Sequence, residues 1–197
     1  MKFFFHPKKR MNLDWRQYAL RVGSVTPHNK QQISDGLRDM SPESIRYRFL
    51  GSKREFTEKE LSYLTTLDGF NHYAIGMEER ETGRGIAIVR LVRSSKDETE
   101  AEVAVTIIDD YQKVGLGQVL IKLMILAAAE RDIERLSFTY LPANEGIVKL
   151  LHKIGPVISG PQTKDFDQSF IELTSLDLIK IKEELTQFIP DLKELSP

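Results

Sequence analysis

The sequence predicts a mixed α/β (α+β) fold, with helices on both faces of a mostly antiparallel sheet of about seven strands. The predicted elements follow the order β-α-α-α-β-β-β-α-β-α-β-β, and three consecutive strands lead into an apolar helical stretch that begins near Leu116. A strand meander that feeds a crossover helix is typical of such a sheet. The 197 residues suffice for one domain with a buried core.

The N-terminal half is predicted to contain one strand and three helices. Residues 17–25 read as the first strand. Each helix has a residue with a capping hydroxyl at its start: Thr26 before a proline, Ser41 before a proline, and Thr57 in a capping box with Glu60. The predicted helices cover residues 26–38, 41–51 and 57–67, the second ending at Gly51.

The C-terminal half is predicted to contain six strands and three helices. The strands are expected at residues 70–79, 85–93, 101–108, 135–140, 157–160 and 168–173, and the helices from residue 116, at 143–154 and at 176–188. We divide the chain into an extension (1–16), a domain (17–174), and a C-terminal helix with a tail (175–197). Phe3 to Phe5 could add an edge strand or pack on the surface.

Composition excludes several classes of function. The net charge of −1 does not favour nucleic acid or an anionic membrane as a partner. The absence of cysteine excludes disulfides, thiolate metal sites and a cysteine nucleophile. The first residues do not resemble a signal peptide, and no apolar run approaches the ~20 residues that span a bilayer. These features predict a soluble, cytoplasmic protein.

Residues 101–117 carry the most informative pattern. A predicted strand with Val103, Val105 and Ile107 on one face leads through Gln112-x-x-Gly115-x-Gly117 into the apolar helix. Free backbone N–H groups, the helix dipole and missing side chains make such a turn an anion site. Leu120 breaks the dinucleotide fingerprint, and the P-loop motif is absent. An ordinary tight turn before a buried helix is the alternative.

The order of strand, Q-x-x-G-x-G turn and apolar helix resembles the acetyl-CoA site of the GNAT acyltransferase superfamily. This resemblance implies two central strands that splay apart, with acetyl-CoA as co-substrate in the opening. It places a backbone N–H group near the thioester, around Ile107, where it can stabilise an oxyanion, although plain sheet pairing is the alternative. Val105 is also expected among the cofactor-binding residues. It assigns the pyrophosphate to a cradle formed by Gln112, Lys113, Val114, Gly115, Leu116, Gly117 and Gln118.

Four further segments are more specific. They are Met40-Ser41-Pro42-Glu43-Ser44-x-Arg46-Tyr47-Arg48-Phe49, His72-Tyr73-Ala74, Val89-Arg90-Leu91 and Ala101-Glu102-Val103-Ala104-Val105. Together they resemble the acetyltransferase domain of bacterial Pat-type protein-lysine acetyltransferases. The resemblance implies a protein substrate that presents a lysine, such as an acyl-CoA synthetase. Arg46 and Arg48 could contact acidic protein surface, or they could be structural or solvated.

The Pat-type resemblance makes Glu102 the general base. A lysine amine is protonated near neutral pH and must lose a proton before it attacks a thioester. A carboxylate can take that proton, and burial in a cleft would make it a stronger base. The alternative is that Glu102 only pairs with a basic neighbour at the start of a strand.

Two positions in the next predicted helix bear on the leaving group. Asn144 matches a residue that often contacts the pantetheine arm in the superfamily, and a helix cap is the alternative. Leu151 stands where many GNAT enzymes have a tyrosine acid, and His152 beside it could substitute, with a histidine on the helix surface as the alternative. The four histidines lack metal-ligand spacing, so no metal is expected.

Three hypotheses follow for the function. The first is an acetyl-CoA-dependent N-acetyltransferase that acts on protein lysines by direct transfer. The second is acetylation of a small amine, for which a closed acidic pocket would be expected. The third is a non-catalytic acyl-CoA-binding regulatory module, which would bind acetyl-CoA without turnover.

Overall fold

The computed structural model of the chain describes residues 11–15 and 17–195. In this part of the chain, eight strands form one sheet in the order β1-β2-β3-β4-β5-β6-β8-β7, and every neighbouring pair except β5–β6 is antiparallel. The strands are β1 (Met11–Trp15), β2 (Tyr18–Ser24), β3 (His72–Glu79), β4 (Gly85–Arg93), β5 (Glu100–Ile107), β6 (Arg135–Tyr140), β7 (Ile158–Gln162) and β8 (Asp167–Glu172). The predicted fold class is confirmed.

Strand β1 is the one that the sequence did not predict. It pairs with β2 in the register Met11 to Val22, and its apolar residues Met11 and Leu13 are buried while Asn12 is exposed. This alternation is the pattern of an edge strand with one face on the core. The proposed role of Phe3 to Phe5 falls outside the described residues, and the domain boundaries remain a prediction.

Six α-helices accompany the described sheet. They are α1 (Lys30–Arg38), α2 (Pro42–Phe49), α3 (Glu58–Thr65), α4 (Leu116–Ala129), α5 (Glu145–His152) and α6 (Leu178–Thr186), and a 3-10 turn at Pro27–Asn29 precedes α1. The capping box of Thr57 and Glu60 is present. Helix α2 ends before the predicted Gly51, because Leu50 adopts the left-handed conformation with a φ of 54°.

The helices lie on opposite faces of the sheet, as two neighbouring residues of β5 show. The Thr106 hydroxyl accepts a hydrogen bond from Arg48 of α2, whereas the Ile107 side chain approaches Gly117 of α4. Successive residues of a strand point to opposite faces. Therefore α2 and α4 cover different sides of β5, and α4, apolar throughout most of its length, fills the core on its side.

The C-terminal helix packs against the domain. Ile181 and Leu185 are buried, and Glu184 forms an ion pair with Lys122 of α4. Beyond α6, the Phe188 ring meets the Trp15 ring edge-on at 4.6 Å, and the Asp14 N–H donates to the Phe188 carbonyl. These contacts join the end of the described chain to strand β1.

Candidate active site

Strands β5 and β6 separate along their length. Strand β5 pairs with β4 from Ala101 to Ile107, but its parallel pairing with β6 covers only Glu100 to Glu102. Strand β6 instead pairs with β8 along its whole length. The result is an opening between the C-terminal halves of β5 and β6, which confirms the splay expected from the resemblance.

Backbone groups of β5 face this opening. The Ile108 N–H donates to Ile86 of β4 at 3.0 Å, and the Ser94 N–H donates to the Glu100 carbonyl at 2.8 Å. In an antiparallel ladder alternate residues direct their polar groups to the same neighbour. The odd-numbered residues therefore face away from β4, and the N–H groups of Val105 and Ile107 point into the opening beyond the last pair with β6.

The turn after β5 forms a cradle of backbone N–H groups. A 3-10 turn at Asp109–Tyr111 is followed by Lys113 with a φ of 60° and Gly115 with a φ of 98°. Within the described chain, the N–H groups of residues 113–115 donate to no protein acceptor, and no side chain caps the start of α4. The first N–H groups of a helix also lack intrahelical partners. This arrangement fits a pyrophosphate.

The two glutamines of the predicted cradle have other partners. The Gln112 side chain donates to the Ser44 hydroxyl at 3.0 Å and to the Ile107 carbonyl at 2.9 Å. The Gln118 N–H donates to the Gly115 carbonyl at 3.1 Å. Gln112 thus braces the turn against β5 and α2, and the backbone of residues 113–117 is the part free to meet an anion.

Trp15 supports the cradle from strand β1, which sequence reasoning missed. Its indole N–H donates to the Val114 carbonyl at 2.9 Å. A Cβ atom at Gly115 would lie 2.9 Å from the Trp15 ring, so this position has room only for glycine. The signal in the sequence is weak, because the two partners lie 99 residues apart.

Asp109 ties α2 to the end of β5. Its carboxylate accepts hydrogen bonds from the Ser41 N–H at 2.8 Å, the Ser41 hydroxyl at 2.7 Å and the Ser44 hydroxyl at 3.0 Å. Partial burial alone would raise the pKa of Asp109, but these hydrogen bonds lower it. The segment Ser41-Pro42-Glu43-Ser44, which the resemblance singled out, therefore holds the start of α2 next to the turn that forms the cradle.

Arg48 and Tyr47, which follow Ser44 in α2, make contacts on opposite sides of the opening. The Arg48 side chain donates to the Thr106 hydroxyl of β5 at 2.7 Å. The Tyr47 hydroxyl donates to the Ala143 carbonyl, before α5, at 3.3 Å, and lies 3.2 Å from Glu43. Burial and the Glu43 carboxylate raise the pKa of Tyr47, so its phenol is protonated at neutral pH. Sequence reasoning assigned no role to Tyr47.

Glu102 lies on the α2 face of β5, where the two central strands begin to separate. Glu102 is exposed rather than buried in a cleft. Its carboxylate acts on Arg48, whose pKa is lowered by burial while the Glu102 charge acts in the opposite direction. The carboxylate is thus open to an incoming molecule and close to a cation.

The structure places Asn144, Leu151 and His152 at the two ends of α5. Asn144 is the N-cap of α5, since its side-chain oxygen accepts from the Ile147 N–H at 3.3 Å. The Asn144 side-chain amide nitrogen makes no hydrogen bond within the described chain and can still donate. Leu151 is fully buried and faces the core, whereas His152 is exposed at the end of the helix.

A cavity that is partly open to solvent lies on the same face as Glu102. The sheet forms its floor, and α1, α2 and α3 form its walls. Its charged lining residues are Arg48, Arg90 and Glu78. The carboxylate of Glu78 is engaged by Gln32 at 2.7 Å and Arg21 at 3.7 Å. The cavity is therefore not the acidic pocket expected for a polyamine.

His72 next to this cavity gives a pH prediction. Burial and the Arg90 charge lower the pKa of His72 from 6.5 to about 4. Between pH 6.5 and about pH 4 the unfolded state binds more protons at His72 than the folded state does. The contribution of a neutral His72 to the free energy of unfolding is therefore complete above pH 6.5 and is lost as the pH falls towards 4. We expect the free energy of unfolding to lose on the order of 2 kcal/mol through this group, less than full burial would give because the ring is partly exposed.

The measurement for His72 is denaturant unfolding at neutral pH and at the lower end of this window. His72→Gln keeps a hydrogen-bonding side chain and should remove this part of the acid loss. His152→Gln, on an exposed histidine, is the matched control and should behave as the wild type. Equal acid losses in both variants and the wild type would contradict the assignment.

A family model described as an acetyltransferase (GNAT) domain matches residues 36–157, which include α2, the cradle and α5. The chain belongs to the GNAT acetyltransferase family. The predicted class of enzyme, an N-acetyltransferase, is confirmed with it.

Relatives place this GNAT chain near Pat-type enzymes. It is 33% identical over 133 residues to acetyltransferase Pat of Mycolicibacterium smegmatis, covering 68% of this chain and 40% of that protein. The GNAT domain of S. lividans PAT has the same fold, with a TM-score of 0.75 and 23% identity over 83% of this chain and 96% of that one. The chain thus spans less than half the length of its curated Pat relative.

A small-molecule enzyme also shares the GNAT fold. Spermidine N-acetyltransferase from Vibrio cholerae, solved with CoA and spermine, has a TM-score of 0.64 and 14% identity, over 79% of this chain and 96% of that one. Among the described residues, no group of three or more His, Asp or Glu side chains could hold a metal ion. None of the described helices is both long and apolar enough to cross a bilayer.

Proposed function

We propose that this GNAT enzyme transfers the acetyl group of acetyl-CoA to lysine side chains of folded proteins. The observation that carries the proposal is the position of Glu102, an exposed carboxylate on the α2 face at the point where β5 and β6 separate. A base that is open to solvent can be reached by a lysine on the surface of another protein. Acyl-CoA synthetases are the proposed partners, following the Pat-type motifs.

The backbone cradle supports acetyl-CoA as the co-substrate. The N–H groups of Lys113, Val114 and Gly115, with those of the first turn of α4, would hold the pyrophosphate. Ile107 and the Asn144 amide nitrogen would contact the pantetheine arm. Acetyl-CoA supplies the acetyl thioester, and the residues of this chain orient it in the opening.

Glu102 serves as the general base. It takes one proton from the lysine ammonium, and the freed lone pair attacks the thioester carbonyl to form a tetrahedral intermediate. The second nitrogen proton leaves to solvent as this intermediate collapses, the carbon–sulfur bond breaks and the amide is formed. The Val105 N–H points into the opening and would stabilise the negative charge on the carbonyl oxygen. The Tyr47 phenol is the proposed proton donor for the departing thiolate, in place of the tyrosine that Leu151 replaces.

The charges of the neighbouring cavity support a protein acceptor over a polyamine. Arg48 and Arg90 line the cavity, and they would repel a molecule that carries several ammonium groups. Glu78 cannot offset them, because Gln32 and Arg21 already engage it. A single lysine on a protein surface can approach Glu102 from solvent without entering the cavity.

The test compares acceptors at equal acetyl-CoA concentration. We expect kcat/KM for a folded acyl-CoA synthetase to exceed that for spermidine by about 100-fold or more, since about 2.7 kcal/mol of discrimination is within reach of charge repulsion. Release of CoA thiol, followed spectroscopically, gives both rates. A higher kcat/KM for spermidine than for the synthetase would contradict the proposal and favour acetylation of a small amine.

A further inference from the structure

The cavity on the α2 face has the composition of a small-molecule site, with an apolar wall and a few polar groups. Most of its wall is apolar, with contributions from Ile33, Leu37, Phe49, Phe56 and Ile86. The apolar wall would hold a hydrocarbon or aromatic group rather than a fully polar molecule.

Arg90 gives this cavity a buried positive charge. The side chain comes from β4, and the residue is only 6% exposed. Its guanidinium contacts the His72 ring nitrogen and donates to the Leu64 carbonyl at 2.7 Å, and it forms no ion pair with a carboxylate in the part of the chain described. Burial and the Arg48 charge lower the pKa of Arg90 to about 10, so the group is charged at neutral pH.

The surrounding groups do not neutralise Arg90. His72 is neutral at pH 7, because its pKa is about 4. Arg48 adds a second cation close by, and Glu102 acts on Arg48 from the surface side. The Tyr63 ring from α3 is tilted against the His72 ring, with ring centroids 4.7 Å apart. A buried charge without a counter-ion is costly, and an anion in the cavity would relieve that cost.

We propose that the cavity binds a small carboxylate with an apolar body, its carboxylate on Arg90 and Arg48 and its body against the apolar wall. A guanidinium presents a fork of N–H donors that matches a carboxylate, and Arg90 uses few of its donors within the protein. The site is separate from the acetyl-CoA opening, which lies between β5 and β6.

The test uses 3-phenylpropionate and its neutral amide, 3-phenylpropionamide, as probes of equal shape. Isothermal titration calorimetry on the wild-type chain should show the carboxylate binding about tenfold or more tightly than the amide. Arg90→Gln keeps a hydrogen-bond donor for the Leu64 carbonyl and should abolish that preference, while Arg90→Lys should retain part of it. Arg46→Gln, on the exposed face of the same α2 helix, is the matched control and should leave it unchanged.

Two results would overturn the proposal. One is equal affinity of the wild type for acid and amide, including no binding of either at millimolar concentration; the other is a preserved preference in Arg90→Gln. Thermal unfolding of each variant shows whether it is folded. The measurement needs neither acetyl-CoA nor a protein acceptor, so its failure leaves lysine acetylation untouched.

A second arm identifies what kind of carboxylate the cavity serves. Phenylalanine has the same body and carboxylate as 3-phenylpropionate and adds an amine. Once the preference of the wild type for the carboxylate is measured, release of CoA thiol from acetyl-CoA in the presence of phenylalanine would make the ligand an acceptor. Binding of phenylalanine without thiol release would make it an effector.

Discussion

Replacing Glu102 with glutamine should lower kcat for acetyl transfer to a protein lysine by about 10²- to 10⁴-fold, the usual contribution of a general base. Glutamine has nearly the shape of glutamate but cannot take the proton of the ammonium. Because Glu102 lies on the α2 face of β5, away from the cradle, the affinity for acetyl-CoA should not change. Steady-state rates and calorimetric titration of acetyl-CoA measure the two quantities.

Glu98→Gln is the matched control for Glu102. Glu98 is exposed in the loop that leads to β5, so the same loss of charge occurs a few residues away. We expect its kcat to stay within about twofold of the wild type, well below the effect of losing a general base. A Glu102→Gln enzyme that keeps wild-type kcat would show that another group, or solvent, takes the proton.

Gly117→Arg should abolish acetyl-CoA binding, with an affinity loss of about 100-fold or more, or about 2.7 kcal/mol. Gly117 lies in the first turn of α4, where a Cβ atom would meet the Leu150 side chain at 2.9 Å and the Ile107 side chain at 3.7 Å. A side chain at this position therefore grows towards the gap between the end of β5 and α5. That gap is the proposed path of the pantetheine arm.

The contact with Leu150 calls for a second variant. Leu150→Ala removes the atoms that an added side chain at Gly117 would strike, so the double variant separates blocked binding from disturbed packing. We expect Leu150→Ala alone to bind acetyl-CoA and the double variant not to bind it, with both unfolding cooperatively on heating. Equal affinity in the two would show that the cradle has been placed wrongly.

Local patterns explain why most of the fold could be predicted from sequence. The alternation in β3, β4 and β5 and the hydroxyl caps at Ser41 and Thr57 are properties of neighbouring residues. The exceptions depend on distant partners. Strand β1 is short and owes its place to pairing with β2, and α2 ends at Leu50 in place of the glycine that the pattern favours.

In the candidate site, too, local features could be predicted from the sequence and contacts between distant residues could not. The glycine turn at residues 112–118 could be recognised because its spacing is a local requirement of backbone geometry. The contacts of α2 could not, because Ser41 and Asp109 lie 68 residues apart and meet only in the folded chain. The closeness of the Arg48 and Arg90 charges and the exposure of Glu102 likewise depend on how α2 crosses the sheet.

The most direct test of protein-lysine acetylation is the mass of an intact, folded acyl-CoA synthetase after incubation with the enzyme and acetyl-CoA. The proposal predicts the addition of one acetyl group per chain, located on a lysine by peptide mapping, and strong suppression with Glu102→Gln. An unchanged mass, from an enzyme shown by calorimetry to bind acetyl-CoA, would contradict the proposal and leave a small amine as the acceptor.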